Sequence, residues 1–293
     1  MNIVNKKAKF GFTLLELGIA LAVITLLSIA VSKGSELINY SKSQVIIKEQ
    51  YEIRLAINNF REKFNALPGD IQDAHETLGS VFTGNGDDFI SSQPKTLLPN
   101  NPAFGLFPHI NQINQNPVMN GPYESVSTWE HLQKAGLLNF KQNFSGLTRH
   151  DPLTTYIMPD VPKSSIHKDE RYAYFISNAQ RPELTNNSLI SKQFHLLEFA
   201  NFREFDENTL QGLNGALPSK LAFYIDNKID DGKPLSGTIL GINGKSVTGC
   251  NTADGSNPTN NENYYKFAQY DTSNKLENCI VIFILDELPY KNK

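Results

Sequence analysis

Asp226, Asp230 and Asp231 crowd into one short run, Asp226-Asn227-Lys228-Ile229-Asp230-Asp231-Gly232. Several carboxylates and carbonyls on a tight turn can surround a hard cation such as calcium. The spacing is not that of an EF-hand, and a solvated acidic turn between strands fits the same residues. Asp87 and Asp88 stand in a similar setting, Gly84-Asn85-Gly86-Asp87-Asp88, with the same two readings. Calcium is therefore the one cofactor suggested, and none is required. Cys250 and Cys279 are the chain's two cysteines, too few for a four-thiolate zinc site. They make one disulfide or remain two buried thiols. A further group is a single carboxylate, Glu16, inside the apolar run Phe12 to Val31. An ionised carboxylate in a membrane helix costs ~2.5 to 3.5 kcal/mol and is rare unless something pairs with it.

No catalytic centre is legible. Gly244-Lys245-Ser246 ends like a phosphate-binding loop, but the motif's first glycine would fall at Ile239. Nucleophile-elbow and paired-histidine zinc motifs do not occur. The histidines, His75, His109, His131, His150, His167 and His195, are scattered without metal-ligand spacing. An enzyme is not expected.

The chain has 293 residues, 40% hydrophobic and 19% charged, enough apolar surface to offset ordering entropy and exclude wholesale disorder. Lys+Arg of 27 against Asp+Glu of 30 gives net −3. No global positive field exists to recruit nucleic acid, which is not expected as a direct partner.

Charge is nonetheless uneven. Residues 1–11 carry Lys6, Lys7 and Lys9 and no acid. The run FTLLELGIALAVITLLSIAV follows, long enough for a hydrocarbon core of ~30 Å. Positive charge before this span and a mostly acidic mass after it place the N-terminus in the cytoplasm and the remainder outside. The competing reading is a secretory signal peptide cut near Ser28-Ile29-Ala30. Glu16 argues against it, because a charge at that depth needs a partner.

Lys9-Phe10-Gly11-Phe12-Thr13-Leu14-Leu15-Glu16-Leu17 resembles the cleavage and methylation signal of type IV prepilins and type II secretion pseudopilins. The resemblance implies a basic leader removed between Gly11 and Phe12 by prepilin peptidase, with methylation of the new Phe12 amine. Gly11 lets the backbone enter a protease cleft unobstructed, and the cut creates an ammonium four residues before Glu16. In the family, the carboxylate at the Glu16 position is thought to meet the terminal amine of a neighbouring subunit. Pairing within one chain, one helical turn away, is the alternative.

No proline occurs between Phe12 and Leu67, so the span can continue as one helix beyond the membrane. Ile46, Ile53, Ile57, Phe60 and Phe64 form an apolar stripe, with Lys48, Glu49, Glu52, Arg54, Arg61 and Glu62 on the other faces. The helix should stop at Leu67-Pro68-Gly69-Asp70. FREKFNALPGD (60–70), the Gly-Asn-rich loop at 84–88 and WEHLQKAGLL (129–138) resemble a branch of bacterial pilin-like proteins. The expected organisation is a basic leader (1–11), a transmembrane assembly helix (12–32), an amphipathic stalk (33–67) and an exported head (68–293).

Residues 84–122, rich in Gly, Asn and Pro, predict an irregular excursion. Ser127 is a candidate cap for a helix starting at Thr128. Strands are predicted at 172–177, 194–199, 221–225, 238–242 and 279–285. The expected fold is α+β and pilin-like, a long N-terminal helix packed on a mostly antiparallel sheet with irregular loops. On the exported side oxidation favours a Cys250–Cys279 disulfide.

The sequence thus predicts a structural subunit, a minor pilin or pseudopilin of a type IV pilus or type II secretion filament. Its expected partners are prepilin peptidase, other pilin or pseudopilin subunits and the bacterial inner membrane, with the head periplasmic or displayed in a surface filament. The rival is a membrane-anchored periplasmic binding or hydrolytic protein with a prepilin-like leader.

Overall fold

Helix α1, Leu14–Phe64, runs for 51 residues without a proline to interrupt it. The computed structural model describes residues 13–80, 82–90, 124–138, 144, 148–150, 157–159, 161–167, 172–180, 193–201, 214–244, 248–252 and 267–288. The chain divides into two compact units, Met1–Lys42 and Ser43–Lys293.

In the first unit the side chains from Leu14 to Val31 are exposed, and this stretch of α1 is long and apolar enough to cross a membrane. Its hydroxyls are turned onto the helix's own backbone. Thr25 Oγ1 donates to the Leu21 carbonyl at 2.7 Å and Ser28 Oγ to that of Ile24 at 2.8 Å. Such back-bonding satisfies polar groups where no water is available.

In the second unit Ile46, Ile53, Ile57 and Phe60 are buried, as the helical spacing predicts. Glu49 is the exception on this segment. Expected on an outer face, it is buried, because Ser164 Oγ (2.7 Å), Ser165 N (2.9 Å), Ser165 Oγ (2.6 Å) and Tyr174 OH (2.8 Å) all donate to its carboxylate. These donors replace the water a carboxylate would otherwise need. The helix ends at Asn65, whose φ of 51° is left-handed. The Leu67-Pro68-Gly69-Asp70 turn follows, closed by Asp70 N–H on the Leu67 carbonyl at 3.1 Å.

Two short helices come next, α2 (Ala74–Leu78) and α3 (Glu124–Lys134). The predicted cap Ser127 lies inside α3, which begins three residues earlier at Glu124. Trp129 and Leu132 are buried from its inner face.

Strands β1 (Thr148–His150) and β2 (Ile157–Pro159) form a two-stranded antiparallel sheet. The main sheet contains β3 (Tyr172–Gln180) and β4 (Gln193–Asn201), then, beyond helix α4 (Ser219–Ile229), β5 (Ile239–Asn243) and β6 (Cys279–Leu288). Its order is β3-β4-β6-β5, with every pairing antiparallel. The predicted strand at 221–225 is instead the middle of α4. Leu221, Ala222 and Ile225 are buried together, the i, i+1, i+4 pattern of a helix face rather than alternation.

Both faces of the sheet are buried. Val281 and Phe283 of β6, with Leu197 and Phe199 of β4, join α1, α3 and α4 in the larger core. The alternate residues Ile280, Ile282 and Ile284, with Leu196, Ala200, Leu240 and Ile242, form a second cluster. Two-sided burial explains why β6 reads as an unbroken apolar run. The description α+β holds.

Candidate functional site

At the start of α1, Thr13 is the residue before the first helical turn and Glu16 the third within it. Thr13 N–H and Thr13 Oγ1 donate to Glu16 Oε2 at 2.8 and 2.9 Å, and Glu16 N–H donates back to Thr13 Oγ1 at 3.2 Å. This is a reciprocal capping box, which satisfies backbone donors that the helix cannot. The Thr-x-x-Glu spacing is its signature in the sequence, a signal separate from the charge of Glu16. Gly11, Phe12, Lys6, Lys7 and Lys9 lie outside the described residues.

The acidic turn forms where α4 gives way to β5. Asp226, Asp230 and Asp231 each bring a carboxylate oxygen within 4.8 Å of the others. Asp226 is fully buried at the end of α4, accepting from Gly232 N–H and Tyr270 OH, both at 2.8 Å. Asp230 Oδ2 accepts from Thr238 N–H and, at 2.8 Å, from Ile239 N–H. Asp231 accepts from Lys233 N–H at 2.8 Å and from Ser236 Oγ. Burial pushes the Asp226 carboxyl up to about 7, opposed by the Tyr270 and Gly232 hydrogen bonds and reinforced by Asp231 and Asp230. Three clustered carboxylates suit a hard oxygen-binding cation. The same groups also knit the turn together, since each carboxylate already accepts donors from it.

A second acidic group arises from residues far apart in sequence. Asp70, Asp87 and Glu124 lie within the same 4.8 Å limit. Asp70 is buried and its carboxylate accepts the N–H groups of Gly86 (2.6 Å), Asp87 (3.1 Å) and Asp88 (2.7 Å). Burial raises its pKa, the three N–H groups oppose the shift, and the Asp87 charge adds to it. Glu124 accepts from Asn85 N–H at 3.1 Å. Of this group the sequence pointed to Asp87 only, because the 82–90 loop folds back over the turn at residues 67–70.

His131 secures that turn. Gly69 N–H donates to His131 Nδ1 at 2.8 Å, so the proton sits on Nε2, 2.9 Å from the Phe82 carbonyl. Burial lowers the His131 pKa and keeps the ring neutral. Gly69 has φ +91° and faces the Glu124 carbonyl so closely that an added Cβ would lie 2.3 Å from it. Only glycine fits both constraints.

Cys250 and Cys279 form a disulfide, with Cα atoms 4.8 Å apart, both fully buried. It ties the start of β6 to the segment at 248–252. No model of a known protein family, no curated protein and no solved structure matches the chain.

Proposed function

We propose that the chain is a structural subunit of a pilus or secretion filament, a minor pilin or pseudopilin anchored by α1 in the bacterial inner membrane. Prepilin peptidase removes residues 1–11, and Phe12 becomes the methylated N-terminus. The observation that carries this reading is Glu16, one carboxylate in the otherwise uncharged, membrane-length stretch of α1 from Leu14 to Val31, four residues after Phe12. Cleavage supplies the cation that such a charge requires. Thr13 gives the carboxylate hydrogen bonds within its own chain, and the Phe12 amine of a neighbouring subunit supplies the opposite charge as helices leave lipid for a bundle. The head stands in the periplasm or on the filament surface and performs no chemistry, while a separate cytoplasmic ATPase drives assembly.

Mass spectrometry of the N-terminus of the protein isolated from its native membrane tests this directly. A chain beginning at methylated Phe12 is expected. An intact Met1, or a start at Val31, overturns the filament reading and favours a membrane-anchored periplasmic binding or hydrolytic protein.

A further inference from the structure

Apolar side chains remain exposed on α1 beyond the end of the span. Leu37, Ile38 and Tyr40 are 68%, 59% and 46% exposed. They belong to the same compact unit as the span, which ends at Lys42. From Leu14 to Tyr40 the helix rises ~40 Å. That exceeds the ~30 Å hydrocarbon core and approaches the ~40 to 45 Å of a bilayer with its headgroup layers.

Composition changes where the hydrocarbon would end. Glu16 is the one charge between Leu14 and Val31, whereas the next nine residues mix Ser32, Lys33, Ser35, Glu36 and Asn39 with Leu37, Ile38 and Tyr40. Lys33 and Glu36 pair at 3.3 Å with both side chains exposed. Water alone leaves the apolar members unsolvated and hydrocarbon alone leaves the charged ones so. The headgroup layer accommodates both, and it is where tyrosine and long cationic side chains concentrate.

We infer that residues 33–40 form a collar seated in the phospholipid headgroup layer on the side of the membrane opposite the N-terminus. This rests on the reading that Leu14 to Val31 crosses a bilayer. A second copy of the helix is the competing occupant. At ~100° per residue, Leu37, Ile38 and Tyr40 spread over about 160° of the helix, wider than the narrow seam that one partner helix covers.

Tryptophan scanning of the full chain in phosphatidylcholine vesicles tests the collar. Ile24→Trp, Tyr40→Trp and Tyr51→Trp are each compared with the parent, whose single Trp129 is buried, using lipids brominated near the headgroup or deep in the acyl chains. Ile24→Trp should be quenched most by deep bromines. Tyr40→Trp should emit at shorter wavelength than in water and be quenched most by shallow bromines, and Tyr51→Trp should show neither effect. Ile38→Trp repeats the reading if Tyr40→Trp does not fold. A collar tryptophan that emits as in water and is unquenched, while Ile24→Trp is quenched, overturns the collar and leaves the span intact. Absence of quenching at Ile24→Trp overturns both. A shift at Tyr40→Trp that appears only as protein density rises, without bromolipid quenching, assigns the surface to a second copy and overturns the collar.

Discussion

Arg54 on α1 donates to the Leu285 carbonyl on β6 at 2.9 Å, and to that of Ile284 at the same distance. The register between β4 and β6 slips at this point. Leu196 pairs with Ile284 and His195 with Asp286, leaving Leu285 as the extra residue of a bulge. A bulge disrupts ladder bonding locally, and the guanidinium meets carbonyls there. The relationship therefore joins α1 to the sheet at an irregular point.

Removing that donor should destabilise the second unit. Arg54→Met keeps most of the stem's packing but should cost about 2 kcal/mol. Denaturant unfolding of the oxidised protein checks this, with Arg54→Lys expected to retain part of the loss.

Glu49 should be more sensitive to amide substitution than its position on a helix suggests. Glu49→Gln keeps the shape but brings an NH2 group against Ser164, Ser165 and Tyr174, all of which donate to the carboxylate. A loss of about 2 to 4 kcal/mol is expected, against about 1 kcal/mol for Tyr174→Phe, which removes a single donor. Paired unfolding curves separate the two.

Asp226 and His131 should tilt the pH dependence of stability in opposite directions. The folded Asp226 pKa is raised to about 7 from 3.8. Its contribution is fully present below about 3.8 and is lost as pH rises through about 7. His131 is lowered from 6.5. Its neutral form is the one that accepts from Gly69, so its contribution is present above about 6.5 and declines as pH falls. Asp226→Asn should therefore flatten the decline in stability between about pH 4 and 7. His131→Gln should remove part of the acid-side loss. Unfolding measured across this range decides both signs.

Glu16→Leu should leave membrane insertion intact, since it removes a charge from an apolar span. Incorporation into filaments should be lost, and unchanged incorporation would count against the proposed assembly role. Subunit recovery from sheared filaments, compared with the membrane fraction, gives the readout.

Replacing both Cys250 and Cys279 by Ser should cost about 3 to 4 kcal/mol, the loop-closure value for their separation of 29 residues. Unfolding of the double variant beside the oxidised parent measures it.

Much of the architecture was legible wherever burial follows a simple period. The stripe from Ile46 to Phe60 has helical spacing, and the Ile280 to Leu285 run has the density of a strand covered on both sides. Leu221 to Ile225 misled because Leu-Ala-Phe-Tyr-Ile is apolar and aromatic enough for a strand, and its short buried pattern is ambiguous without its surroundings. Glu49 could not be read as buried, because its donors lie more than a hundred residues away. The Asp226 group was visible as a local run. The companion group at Asp70 was not, since its members come from the 67–70 turn, the 82–90 loop and the first turn of α3. Local sequence reveals local clusters, whereas long-range closure decides the rest.

Ile46, Ile53, Ile57 and Phe60 belong to the same core as Leu197, Phe199, Val281 and Phe283. A secreted fragment cut at Pro68 would discard one wall of that core and leave greasy strands bare to solvent. For recombinant work the useful start is near Ser43, where the second unit begins, so more than two-fifths of a nominal tether travels with the cargo it was thought merely to hold.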